Sequence, residues 1–471
     1  MSFLKSFAKP AAAAIADSTI KGDVTIDGDL VVNGTGTATY DSVLKGRLQV
    51  LAGADAGSYI DMFADSGDDD ADQWRLAAEA AGSFTIQNKS TGSFVDYLSL
   101  DSNSRISLSN NDGNTSNTVF GKNAFVKDDQ SILGDVGADF NVVIGENAMG
   151  DADTLIATHN VAIGYNAMKL VTGSDHSIAI GSSALHNATT GGSNVAIGTN
   201  SMYYITIGQR NVAIGAYSMA MNHDGNALTA LTTGDNNVAV GSGALDAATT
   251  GSNNTAVGIG ALSGITTGED NVAIGEYALQ NAGAGELRNI AIGSVAMQMM
   301  DEGTSGTINY NIAVGRNALS GADLGTGSED ISHNIAIGTD SLRLVSGDSQ
   351  TGTIAIGRMS LNALTTGGGN TAIGYQAGKD NTTGSDNTII GYNAAYQMGD
   401  ASHQNNVIIG ESAGSGDWNT GSASSKNVFI GADSAKGVMN GAGSNIGIGW
   451  AALTALTEGD NNVALGSSAG D

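Results

Sequence analysis

The sequence predicts an all-β chain, most of it a parallel β-solenoid. Three observations carry this: a composition of small residues, a five-residue phrase ending in glycine that returns nineteen times, and a spacing between copies that falls to 17 residues. The 471 residues include 68 Gly, one Pro (Pro10) and no Cys, and only 5% are aromatic. So few large side chains cannot fill a thick globular core, yet 41% hydrophobic residues is too apolar for a disordered chain. Thin, regular layers of small aliphatics satisfy both facts. Nineteen basic against 47 acidic residues give a net charge of −28, spread along the chain. No nucleic-acid partner is expected, because phosphate contacts need a basic face, and anionic membrane surfaces are disfavoured for the same reason. No stretch approaches the roughly 20 apolar residues of a membrane helix, so membrane insertion is not expected either. Without Cys there is no disulfide framework.

The N-terminal elements differ from the rest. Residues 1–20 place Lys5 and Lys9 ahead of an Ala-rich run, but that run is short and follows Pro10, so an attachment segment is favoured over a secretion signal. Residues 21–44 contain two hexapeptides with apolar pairs Val24/Ile26 and Leu30/Val32 between Gly22, Gly28 and Gly34, a short β-prism-like region. Residues 45–110 alternate polar and apolar residues around Leu48, Ile60, Trp74, Leu76, Phe84, Ile86, Leu98 and Ile106, which predicts a small all-β knob.

Residues 111–471 are the predicted shaft. N-V-A-I-G starts at Asn160, Asn194, Asn211 and Asn271 and ends at Gly164, Gly198, Gly215 and Gly275; N-T-A-I-G runs from Asn370 to Gly374. With 17 residues as base period, longer intervals such as Gly215 to Gly241 read as insertions. Each unit is expected to form one coil. The strand would put Val and Ile inward and Ala outward, an x-A-L piece would form an opposing extended wall, and T-T-G would turn the chain. Coils stacked at ~4.8 Å would extend two parallel sheets over roughly 86 Å. The Asn is expected to form a ladder, and the Gly to supply a positive φ or a close approach.

This phrase with its T-T-G spacers resembles the repeats of trimeric autotransporter adhesin heads and of bacteriophage tail fibres, with the closest likeness from Asn370 to Asn393. The resemblance covers about three quarters of the chain. It implies a left-handed β-roll, three parallel copies and a role in host attachment. A stripe of outward Ala would be buried between sister chains. A clear signal peptide, a heptad stalk and a C-terminal membrane barrel are not evident, which favours a virion tail fibre over the alternative, a secreted bacterial adhesin. Expected partners are sister chains, a tail or baseplate protein near the N-terminus, a distal fibre subunit docking the coil that ends at Asp471, and a host glycan or protein.

No catalytic constellation is found: G-x-G patterns carry no weight among so many glycines, and coils this small leave no room for the groove of a polysaccharide-cleaving spike. An ice-binding face would need T-x-T rows, whereas the Thr residues sit in turns. The run Asp65, Asp68, Asp69, Asp70 and Asp72 lacks calcium-loop spacing and reads as a solvated loop. His159, His176 and His333 share one column; surface turn histidines are favoured over a transition-metal ladder, so no metal or cofactor is assigned. Tyr165, Tyr375, Tyr392 and Trp450 follow the repeat glycine, and Tyr217 and Tyr277 come one residue later. They are candidates for receptor contact by ring stacking, with corner packing as the structural alternative.

Overall fold

The computed structural model describes residues 58–63, 73–79, 84–89, 93–100, 106–107, 117–125, 139–150, 157–219, 233–280, 285–298, 307–321, 330–343, 350–418 and 421–471. The expected attachment segment, the β-prism-like region and the acidic run of 65–72 lie outside them. Among the described residues all regular structure is β. At the N-terminal side β1 (Ser58–Phe63), β2 (Gln73–Ala78), β3 (Phe84–Lys89), β4 (Phe94–Leu100) and β5 (Ile106–Ser107) form an antiparallel sheet in chain order.

A parallel β-solenoid follows. Nineteen three-residue strands, from Thr118–Phe120 to Val463–Leu465, pair in register with the next coil. Val161, Ala162 and Ile163 lie beside Ile178, Ala179 and Ile180, and these beside Val195, Ala196 and Ile197.

Two expectations about the coil are corrected. The middle residue of each strand points inward: Ala162, Ala179, Ala196 and Ala213 are fully buried, while the flanking Val and Ile are half-buried or exposed. The reason is volume. The opposite leg already sends Ala167 and Met168, or Ala184 and Leu185, fully into the interior, which leaves most strands room for a methyl group, although Val143 is also accommodated opposite Met149. The same constraint explains the exceptions. Where the strand carries Ile389, Ile408 or Phe429 inside, the fourth residue after the glycine shrinks to Ala395, Gly414 or Ala435. A Cβ at Gly414 would sit 3.1 Å from Trp418 and 3.3 Å from Ile408.

The opposite leg is also not a strand. Its second and fourth residues have positive φ: 56° at Asn166 and 50° at Met168, then 54° at Ser183 and 52° at Leu185. Left-handed backbone costs roughly 1–2 kcal/mol per non-glycine residue. It is held because it aims successive amides at neighbouring coils: Asn166 N–H donates to the Glu146 carbonyl and Met168 N–H to the Ala184 carbonyl, both at 3.0 Å. Burying a Leu or Met side chain returns about 1.5–3 kcal/mol, which together with these inter-coil hydrogen bonds offsets the strain of the two residues. Among the described residues the second parallel sheet of the solenoid is a patch of three short strands, Thr307–Asn309, Asp330–Ser332 and Gln350–Thr351.

The asparagine ladder forms by both expected routes. Asn254 Oδ1 accepts from the Asn271 amide at 3.0 Å, while Asn254 Nδ2 donates to Asn237 Oδ1 at 3.2 Å and to the Gly268 carbonyl at 2.8 Å. Ser177 continues the ladder: its amide donates to Asn160 Oδ1 at 2.8 Å and its Oγ accepts from the Asn194 amide at 3.2 Å. Thr353 donates its amide to Asn334 Oδ1 at 2.9 Å, but its buried Oγ1 has no protein partner. Asn254→Leu should therefore cost about 3 kcal/mol by stranding buried polar groups on either side, whereas Asn254→Ser should cost about 1 kcal/mol. Thermal melting of the two variants checks the ranking.

One buried group gives the core a pH dependence. His403 is fully buried beside Trp418, with ring centroids 5.3 Å apart, and its Nδ1 accepts the Ser424 amide at 2.9 Å. That bond requires Nδ1 to be unprotonated. Burial, only partly offset by nearby backbone carbonyls and Asp400, lowers the imidazole pKa below its ordinary value. The unfolded chain then takes up the proton first, so stability present at pH above about 6.5 is lost as pH falls toward the folded-state value. Asp246 acts in the opposite sense: burial raises its carboxyl to about 6, so acidification through that range relieves a desolvated charge. His403→Phe should be less stable at pH 7.5 yet lose less than the parent chain between pH 7.5 and 5; denaturation midpoints at the two pH values check this.

Candidate functional site

Because the strand faces the other way, Val and Ile form a surface where core had been expected. The first and third residues of all nineteen strands face outward, and every one is Val, Ile, Leu, Phe or Thr. Ile144, Ile180, Ile214, Ile274, Ile292, Ile337, Ile373 and Ile448 are each 36–39% exposed. The parallel register stacks them into two continuous rows along the solenoid. Such rows expose on the order of 1,500 Å² of apolar surface, several times the largest patch of an ordinary monomer. Not one charged side chain interrupts them, in a chain of net charge −28. The expected outward alanine stripe is absent, since those alanines are fully buried, and branched aliphatics form an apolar stripe in its place.

The glycines that end the strands set how closely the coils stack. Their φ values run from 127° to 145°. At Gly275 a Cβ would lie 2.5 Å from the carbonyl oxygen of Gly293 in the next coil. Gly164, Gly198, Gly215 and Gly374 have the same geometry, so the positive φ and the close approach coincide.

Comparisons with protein-family models, with curated proteins and with solved structures find no match. The site therefore rests on its geometry.

The corner before each strand carries the histidine column. His159 and His176 stack with centroids 4.8 Å apart and planes at 3°, and Phe140 stacks on His159 at 4.8 Å. Matching nitrogens of parallel rings at that spacing cannot both lie ~2.1 Å from one ion, so the pair is no chelate within one chain. His333 lies many coils away, stacked on Tyr310 at 5.1 Å. Tyr310 in turn accepts from Arg288 Nη1 at 2.8 Å, and Arg288 Nε is 3.3 Å from Asp270. Among the described residues no group of three or more His, Asp or Glu could hold a metal ion.

The expected aromatic stripe divides. Tyr375 stacks on Tyr392 at 5.1 Å and accepts from Arg358 Nη1 at 3.2 Å, so neighbours in its own column occupy much of its ring. Tyr277 lies over Gly260, where a Cβ would meet its ring at 2.6 Å, which is corner packing. Tyr217 is 38% exposed, whereas Tyr165, Tyr392 and Trp450 stand 53%, 54% and 58% exposed and keep surface for a ligand. The Gly215 to Gly241 insertion leaves the stack intact: Val212–Ile214 pairs directly with Val238–Val240, and the Asn237 amide donates to Asn211 Oδ1 at 2.9 Å. Its extra residues, 220–232, lie outside the described residues.

Sequence reasoning missed the outward Val/Ile rows because period-two alternation fixes which residues share a face but not which face is inside. The exchange between the middle strand residue and the fourth residue after the glycine, large against small, was the available signal. Residues that trade volume share the same interior.

Proposed function

We propose that this chain is a structural and adhesive subunit of a virion fibre, of the phage tail-fibre kind, in which three parallel copies form a shaft reaching toward the host cell. The observation that carries the reading is the uncharged apolar face along the whole solenoid of a strongly acidic chain. Acidic chains repel one another everywhere else, and burial of this face between copies supplies the favourable term. Identical coil rise in every copy lets parallel chains match along their full length. The resemblance of the N-x-A-I-G repeats to tail fibres agrees with this arrangement. Exposed corner residues such as Tyr165, Tyr392 and Trp450 are the positions offered to a host glycan or protein, with a tail protein engaged near the N-terminus. Mass spectrometry of purified virions tests the assignment. Peptides of this chain at a copy number divisible by three are expected; their recovery only from a bacterial cell-surface fraction would make the chain an adhesin instead.

A further inference from the structure

The N-terminal sheet gathers Arg75, Asp61 and Glu79 on one face, and on the uncharged opposite face no described residue outside the sheet packs against it. On the first face Arg75 donates to both Asp61 carboxylate oxygens, at 2.6 and 3.0 Å, and lies over the rings of Tyr59 at 4.3 Å and Phe94 at 3.8 Å. Gln87 Nε2 donates to Glu79 Oε1 at 3.0 Å, and Ala77, Thr85 and Gln87 are buried within this layer. The Arg75 guanidinium covers part of that face, although Tyr59 stays 41% exposed.

Alternation and cross-strand pairing put Ile60, Met62, Trp74, Leu76, Phe84, Ile86 and Leu98 on the other face. Tyr97, at the β-bulge in β4, joins them by packing on Trp74 with centroids 5.4 Å apart. None of these is charged. Ile60, Met62, Trp74, Phe84 and Tyr97 are 39–46% exposed. A sheet is stable when such a face is covered by a second layer.

We infer that this face packs against the N-terminal sheet of a second copy of the same chain, forming an assembly contact separate from the shaft. Charge selects the occupant: for two chains of −28, an uncharged face against an uncharged face is a contact that repulsion does not oppose locally. Area fits a supporting role. Five side chains at this exposure leave on the order of 500 Å² bare, below the roughly 800 Å² per partner of a typical stable interface. The contact therefore closes where copies are already held together, and in this the inference rests on the parallel association proposed for the shaft.

The chain has no cysteine, which permits a direct test on the full-length protein. Met62→Cys on the sheet and Ile274→Cys on the shaft are treated separately with a short bismaleimide and run on denaturing gels. The larger part of each variant is expected as a covalent pair, in a fraction unchanged by dilution. Pairing of Ile274→Cys without Met62→Cys would overturn the sheet contact and leave the shaft association standing. A Met62→Cys thiol that resists maleimide but joins no second chain would mean that the chain covers its own face, which also overturns the inference. Failure of both variants to pair would remove the shaft association as well.

Discussion

Gly275→Ala should lower the stability of the shaft by about 2–6 kcal/mol. Two terms add: a non-glycine residue at strongly positive φ costs about 1–3 kcal/mol, and overpacking against a fixed backbone costs about 1–3 kcal/mol. Here φ is 136° and the added methyl would lie 2.5 Å from the Gly293 carbonyl oxygen. That oxygen belongs to the neighbouring coil's stack and cannot rotate away. Stacked coils gain stability from nearest-neighbour interfaces, so the damage should concentrate at one interface and split the melting transition. Gly352 supplies the internal control. Its φ is 67°, a methyl added there would meet nothing within 4 Å, and the same corner holds Arg288, Tyr310 and His333 in other coils. Gly352→Ala should cost about 1 kcal/mol. Equal melting temperatures for the two variants would remove the close-stacking role of the repeat glycine.

The second large effect concerns assembly. Ile214→Asp combined with Ile274→Asp should convert the assembled chain to single chains while the coils stay folded. Both side chains are 39% exposed and point away from the core, so each coil tolerates a carboxylate there. Between copies the same carboxylate would be buried without a partner, at a cost of several kcal/mol per ion. Repetition around an assembly multiplies that cost. Circular dichroism should show retained β structure, and light scattering should show the mass of one chain. An unchanged mass would mean that the outer face is not the contact between copies.

Much of this organisation was legible in the sequence because the repeat is its own alignment. Nineteen recurrences of one phrase fix the period, the strand, the Asn ladder and the glycine corner without any structure. Ser177, which replaces the ladder asparagine and keeps its two amide hydrogen bonds, shows how much of the pattern is backbone geometry. Which way the strand faced was not legible from alternation, since Val161 and Ile163 flanking Ala162 suit either face of a thin coil. Tertiary volume decided it: Met168 and Leu185 occupy the interior first. The left-handed turns of the second leg were equally hidden, because Leu and Met ordinarily avoid positive φ and accept it here only under the hydrogen bonds and burial of a stacked neighbour. In the N-terminal sheet the alternation predicted strands, but the closure of Arg75 on Asp61, Tyr59 and Phe94 depends on cross-strand register that no local pattern encodes.

The mass of the intact chain in dilute buffer near neutral pH, by sedimentation equilibrium, tests the role of the outer face most directly. Three times the 47.1 kDa of one chain is expected, persisting on dilution. A single 47.1 kDa species would contradict it, because the uncharged Val/Ile rows would then remain in water along the length of the solenoid.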